Sequence, residues 1–234
     1  IGDEYAKQDA GTLSIATTHT QARYVLPAPV AALRKRHPKV AISLHQGTPE
    51  QVAAMVLDGT ADIGLATESL SDFADLVSLP CYEWQHVAVL PANHPLAAVP
   101  RLTLEQLASE PLISYHPSFT GRKRIDQAFL QRGLTPNVVL EAIDADVIKT
   151  YVRLGMGVGI VASIAVDEDR DRHLRLIDAG HLFEVNLTRL GLRRGAWLRG
   201  YAYRFIESFV PTLTRDVVEQ AVVQGGRGAE EGDG

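Results

Sequence analysis

Between residues 11 and 67 the chain switches repeatedly between period-two and helical patterning, and that alternation restricts it to an α/β architecture. Gly11-Thr12-Leu13-Ser14-Ile15-Ala16 alternates as a strand does, and residues 22–36 carry Val25, Val30 and Leu33 at helical spacing. Val40-Ala41-Ile42-Ser43-Leu44-His45 reads as a second strand. Thr48 and Gln51 form a capping-box pair that opens a helix at Pro49. In that helix Val52, Met55, Val56 and Gly59 follow the i, i+3, i+4, i+7 rule, and Asp62-Ile63-Gly64-Leu65-Ala66-Thr67 is a third strand. This order predicts a parallel sheet with right-handed crossovers. Ligands of such open sheets collect at the carboxyl ends of strands, where Thr18, Thr48 and Thr67 fall.

A second α/β series follows an extended stretch over residues 79–95. Thr103 and Gln106 cap a short helix, Leu112-Ile113-Ser114-Tyr115 is a strand, residues 122–132 a helix, and Val138-Val139-Leu140-Glu141 a strand. A helix over 146–154 closes at Gly155 before the buried strand Val158-Gly159-Ile160-Val161. Residues 187–192 return as a strand, and an amphipathic helix over 200–222 is divided at Pro211. The order predicts two Rossmann-like lobes joined by two extended crossover strands. Lobe I takes 11–83 and 187–222, and lobe II takes 84–186. Residues 1–10 read as the end of a linker helix, and 223–234, rich in glycine and acidic groups, as a disordered tail.

Composition excludes several function classes. A net charge of −5 and a pI near 5.9 give no one-sided basic field for nucleic acid. Cys81 is the only cysteine, so neither a disulfide framework nor a multi-cysteine metal site is available, and a cytoplasmic setting fits. No apolar run is long enough for a membrane span, and the first residues lack the pattern of a signal peptide and an initiator Met, as in a fragment of a longer protein. Gly155-Met156-Gly157-Val158-Gly159 follows a helix and precedes a strand, the reverse of a dinucleotide fingerprint, and reads as a helix cap and turn. The eight histidines are not at metal spacing, and no nucleophile–base motif is present. The expectation is therefore a protein that is not an enzyme and has no catalytic residue, metal or cofactor.

The run Thr17-Thr18-His19-Thr20-Gln21 stacks hydroxyl and amide groups at a strand-to-helix turn. A helix N-terminus offers unpaired N–H groups and a positive dipole end, so donors placed there can complete a cage around an oxyanion. The same run also fits an N-cap. In the second series Ser114-Tyr115-His116-Pro117-Ser118-Phe119-Thr120-Gly121-Arg122 repeats strand, hydroxyl loop and helix. There Arg122, Lys123 and Arg124 occupy the first helical turn, against the dipole, which either a bound anion or solvent exposure would offset. Donors without an obligatory acceptor suit a deprotonated dianion such as sulfate. Protonated phosphate would need an acceptor, which Asp62 or Glu68 could supply.

Together these motifs resemble the effector-binding domain of LysR-type transcriptional regulators, in the branch containing CysB and Cbl, from Gly11 to about Val222. The resemblance rests on Thr17-Thr18-His19-Thr20-Gln21-Ala22-Arg23-Tyr24, on Gly59-Thr60-Ala61-Asp62-Ile63-Gly64-Leu65-Ala66-Thr67, on Leu79-Pro80-Cys81-Tyr82-Glu83-Trp84 and on the turn His94-Pro95-Leu96. It implies the periplasmic-binding-protein type II fold and a sulfate or related anion held between lobes by Thr18, Thr20, Gln21, Thr67 and Thr120. The residue patterning adds Thr48 and Arg122 to that set. The resemblance also implies control of sulfur assimilation and cysteine synthesis, with sulfate, thiosulfate or acetylserine-type effectors. A homo-oligomer, dimer or tetramer, would contact promoter DNA only through an N-terminal helix-turn-helix domain absent from this sequence, and no membrane. A sulfate-binding solute-binding protein of a transporter shares the fold and is the alternative.

Overall fold

Leu13, Ile15, Ala16 and Thr17 are all buried, so the first strand is covered on both faces as a central strand must be. The computed structural model describes residues 10–227, with side chains through Val223. The chain divides into two units, one of Ile1–Tyr82 with Thr188–Gly234 and one of Glu83–Leu187, so it crosses between them twice.

Unit 1 holds a five-stranded sheet in the order β2-β1-β3-β10-β4. Its strands are β1 (Gly11–Thr17), β2 (Val40–Gln46), β3 (Ile63–Thr67), β4 (Leu76–Trp84) and β10 (Asn186–Arg193). β4 and β10 each run across a unit boundary. Its α-helices among the described residues are α1 (Pro27–Arg36), α2 (Pro49–Leu57), α6 (Gly200–Phe209) and α7 (Arg215–Arg227). One face of the sheet, through Leu13, Ile15, Ile63 and Leu65, packs on Leu33 of α1, on Phe205 and Ile206 of α6, and on Val218 and Val222 of α7. Ala16 and Ala66 point the other way, into Val52, Ala53 and Val56 of α2.

Unit 2 has a sheet ordered β7-β6-β8-β5-β9, from β5 (His86–Pro91), β6 (Pro111–Tyr115), β7 (Asn137–Ala142), β8 (Val158–Ala162) and β9 (Leu174–Asp178). Its helices are α3 (Leu104–Ala108), α4 (Thr120–Gln131) and α5 (Ala145–Arg153). Leu112, Val158 and Ile160 of the sheet pack on Leu107, Ile125 and Phe129.

Several expectations need correction. The parallel order expected over residues 11–67 holds, β1 pairing parallel with both β2 and β3, but each sheet also takes in an antiparallel strand: β10 runs antiparallel to β3, and β5 to both β8 and β9. Both inserted strands follow a crossing of the chain, so β10 meets β3 at its carboxyl end, with Thr188 opposite Thr67. The helix read over 22–36 is two elements. A π turn spans Gln21–Val25, closed by Leu26 N donating to the Gln21 carbonyl at 2.9 Å, and α1 begins afresh at Pro27. Proline has no N–H to continue a ladder but suits a first turn. β9 pairs only with β5 at an edge, and its sequence stood out too little to be expected.

The last helix divides around Pro211 as expected. Residues 223–227, however, continue α7 instead of belonging to a disordered tail, because Val218 and Val222 bury that helix's apolar face. Residues 228–234 and the linker expected over 1–9 lie outside the described residues.

Candidate functional site

The carboxyl ends of β1, β2 and β3 lie side by side in register, Thr17 pairing with Gln46 of β2 and Leu65 of β3. Helical bonding starts at once, with Ala22 N donating to the Thr18 carbonyl at 3.1 Å. Thr20, half-buried at the head of the π turn, makes no side-chain cap bond, so the run is not an ordinary N-cap there. Thr18 and Thr67 are buried, and the Thr67 hydroxyl lies 3.4 Å from that of Ser69. Thr17 Oγ1 and His19 Nδ1 are buried with no hydrogen-bond partner. Such orphaned polar atoms are uncommon in folded proteins.

Gln21 is the centre of this arrangement. It is 3% exposed, its Nε2 donates to Thr188 Oγ1 at 3.2 Å, and its Oε1 accepts from the Tyr82 hydroxyl. Burial pushes the Tyr82 phenol up to about 12, so it stays a proton donor throughout the physiological range. Sequence reasoning missed Tyr82 and Thr188 as site residues. They stand 61 and 167 positions from Gln21, and no local pattern links positions so far apart.

Thr48 sits at the end of β2, where its Oγ1 accepts from Gln51 N at 3.3 Å while Gln51 Oε1 accepts from Thr48 N at 2.9 Å. The hydroxyl proton is not used by that box. Asp62 is no candidate acceptor for a ligand at this edge. It precedes β3, on the far side of the strand from Thr67, and its Oδ2 accepts from Ser14 N at 2.8 Å. Glu68, half-buried, is the carboxylate adjacent to Thr67 in sequence.

In unit 2, Thr120 is the first residue of α4 instead of preceding it, and Phe119 at the cap position supplies no side-chain acceptor. Arg122 is buried, and carboxylates balance its charge. Nε donates to Asp126 Oδ1 at 2.8 Å, and Nη1 to Glu141 Oε1 and the Tyr115 carbonyl, both at 2.8 Å. Arg124 pairs with Glu184, while Lys123 is exposed. Cys81 is half-buried, its thiol 3.8 Å from the Leu79 carbonyl and pushed up to about 12 by burial, so it stays protonated. Gly155 takes φ +75 as a helix-closing glycine, in keeping with a cap and turn at 155–159. Among the described residues no group of histidine, cysteine and acidic side chains could hold a metal ion, and no helix is long and apolar enough to cross a membrane.

Two α/β units with inserted antiparallel strands and a hydroxyl-lined strand edge define a type II periplasmic-binding-protein fold used to hold a small effector. The chain belongs to the LysR substrate binding domain family, which matches residues 6–213, and it is the effector-binding domain of a LysR-type regulator of the CysB, Cbl and SsuR kind. It is 57% identical over 222 residues to the HTH-type transcriptional regulator CysB of Burkholderia cenocepacia, covering 95% of this chain and 71% of that protein. It is 54% identical over 213 residues to SsuR of the same organism, covering 91% and 69%. Among solved structures, the cofactor-binding domain of the Cbl transcriptional regulator superposes with a TM-score of 0.87 at 46% identity, covering 91% of this chain and 93% of that one. The effector-binding domain of QuiR in complex with shikimate, 16% identical with a TM-score of 0.76 and covering 87% and 97%, shares the fold. The CysB, SsuR and Cbl relatives are transcriptional regulators, and none of them is a transporter's solute-binding protein.

Proposed function

We propose that this domain senses a small sulfur-related effector, sulfate or thiosulfate as the anion class or an acetylserine-type inducer, for a regulator of sulfur assimilation and cysteine synthesis. The observation that carries the reading is the clasped Gln21 beside buried Thr18 and Thr67. Hydroxyl and amide donors converge at one strand edge with Thr17 and His19 still holding unpartnered atoms. Sulfate carries no proton near neutral pH and needs only donors. Phosphate would leave its own proton unpaired unless Glu68 turned toward it.

Thr18, Thr20, Gln21 and Thr67 are the contacts proposed in unit 1, with Thr48 at the adjoining strand end. Thr120 rests on the family resemblance and Arg122 on its place in the same helix turn. In the whole regulator the domain acts in a homo-oligomer, dimer or tetramer, in the cytoplasm, and promoter DNA is held by an N-terminal helix-turn-helix domain. The effector shifts the regulator only as far as its affinities for two states differ.

Calorimetric titration with sulfate, thiosulfate, phosphate and acetylserine, on wild type and on Thr18→Ala, Thr67→Ala and Thr120→Ala, tests the site. Each substitution removes a hydrogen bond to a charged group and is expected to cost about 1.5–3 kcal/mol. Unchanged affinity in all three variants overturns the site, and phosphate binding as tight as sulfate overturns the discrimination.

A further inference from the structure

Residues 10–49 carry Arg23, Arg34, Lys35, Arg36 and Lys39 and no aspartate or glutamate, in a chain whose net charge is −5. Arg34, Lys35 and Arg36 close α1, whose carbonyl end favours positive charge. A helix dipole accounts for cations on its own last turn. It does not account for Arg204, which lies in the middle of α6 and yet lines the same groove.

α1 and α6 pack against each other on one face of the unit 1 sheet, and residues of both line a groove of about 440 Å³. Ala32 and Leu33 supply its apolar surface, and Lys35, Arg36, Arg204 and Ser208 its polar one. The groove is built on fixed parts. Leu33 is 4% exposed, and Arg204 Nη1 donates at 3.1 Å to Nε2 of the buried His37. Arg34 Nη1 donates to the Pro38 and Val40 carbonyls at 2.8 and 2.7 Å, which holds the turn that leaves α1. The Ser208 hydroxyl donates to the Phe205 carbonyl at 2.9 Å, so the cations are the groups left to meet an anion. Lys35 and Arg36 are exposed and make no ion pair or side-chain hydrogen bond among the described residues. Glu207, the carboxylate of α6, is exposed and does not line the groove. The combined field of these cations concentrates anions there.

Size and lining select the ligand. Small-molecule sites take about 300–1,000 Å³, which is more than an inorganic oxyanion fills. Ala32 and Leu33 suit a carbon body, and three cations suit a doubly negative head. The groove is also separate from the edge at Gln21. Val40 pairs with Gly11 where β1 and β2 begin, and Thr17 with Gln46 where they end, about 20 Å away at the usual rise of a strand.

We propose that this groove is a second ligand site, which takes a small organic dianion, a phosphate monoester or a dicarboxylate. The head lies among Lys35, Arg36 and Arg204, and the carbon body lies on Ala32 and Leu33. The site is independent of which effector the Gln21 edge binds.

Calorimetric titration of the 234-residue chain with glycerol phosphate, succinate and inorganic phosphate tests it, with amide resonances followed in parallel. At least one organic dianion should bind, shift the amides of residues 32–37 and 204–208, and weaken as salt rises from about 50 to about 300 mM. Lys35→Gln with Arg36→Gln, both at exposed positions, should weaken it about tenfold or more, and Ala32→Glu, which places a carboxylate in the groove, should do the same. Thr18→Ala should leave it unchanged. Tighter binding of glycerol phosphate assigns the site to phosphate esters, and tighter binding of succinate to dicarboxylates. No binding of either organic probe at millimolar concentration, or binding indifferent to the groove variants, overturns the proposal. Loss of binding in Thr18→Ala overturns it by assigning the anion to the Gln21 edge, and inorganic phosphate binding as tightly as either organic probe overturns the carbon-body contact.

Discussion

The phenol of Tyr82 donates to the side-chain carbonyl of Gln21 across 61 positions of sequence, and the amide nitrogen of the same Gln21 donates to Thr188. Tyr82 is the last unit 1 residue of the outgoing strand β4, and Thr188 the first unit 1 residue of the returning strand β10. One glutamine is thus held by both strands on which the chain passes between units. These two bonds use Oε1 and one Nε2 proton, and the second Nε2 proton is taken up by neither hydroxyl.

Tyr82→Phe removes the donor that orients the amide. Sulfate affinity is expected to fall by about 0.5–1.5 kcal/mol, with folding stability changed by a similar amount or less. Calorimetry with urea unfolding separates the two. Wild-type affinity in Tyr82→Phe would show that the clasp does not orient Gln21 for binding.

His86 is expected to weaken the fold in acid. It is fully buried between Trp84 and Phe183, with neither ring nitrogen hydrogen-bonded, and burial, helped by the charge of Arg124, pushes its imidazole from 6.5 down to about 3. Below pH 6.5 the unfolded chain takes up a proton that the folded chain refuses. Stability is therefore complete above that pH and is lost as pH falls toward 3, with a slope approaching about 1.4 kcal/mol per pH unit. His86→Leu should flatten this acid limb and, by removing two unpaired polar atoms, be at least as stable near neutrality. Urea midpoints across the acid range check it, and an unchanged slope would assign the acid limb to other groups.

In unit 2, Lys149 and Asp171 form an ion pair at 2.9 Å, each 1% exposed. Asp171 also meets Arg153 at 3.0 Å and accepts from Asp167 N at 3.0 Å, and Lys149 donates to the Ala165 carbonyl at 2.8 Å. Asp171→Ala leaves a buried ammonium with the more exposed Asp146 at 3.2 Å and should cost about 3–5 kcal/mol. Lys149→Met should cost less, because Asp171 keeps its arginine and its amide donor. Chemical denaturation that ranks the two variants the other way would contradict this account.

Thr48 and Thr103 head matching capping boxes, on α2 and α3. Replacing either by alanine should cost about 1 kcal/mol of stability. Only Thr48→Ala should also weaken anion binding, because only Thr48 stands at the proposed site. Titration of both variants gives the comparison, and equal losses of affinity would remove Thr48 from the site.

The capping boxes were legible because their partners are three residues apart and share one turn of chain. Thr18 and Thr67 could be placed at strand ends because alternation counts residues along a strand. The π turn at Gln21 was hidden, since Val25, Val30 and Leu33 keep helical spacing through a break that only Pro27 hints at. The charge balance of Arg122 was equally hidden, for Glu141 lies 19 positions away on a neighbouring strand.

Local periodicity and capping chemistry, which act over a few residues, determined the α/β order, the element positions and the hydroxyl character of the strand edge. The tertiary structure decided what depends on contacts distant in sequence: the antiparallel insertion of β5 and β10, the clasp of Tyr82 and Thr188 on Gln21, and the burial that shifts His86. Register across strands and the desolvation of a side chain are set by neighbours that the linear order does not name.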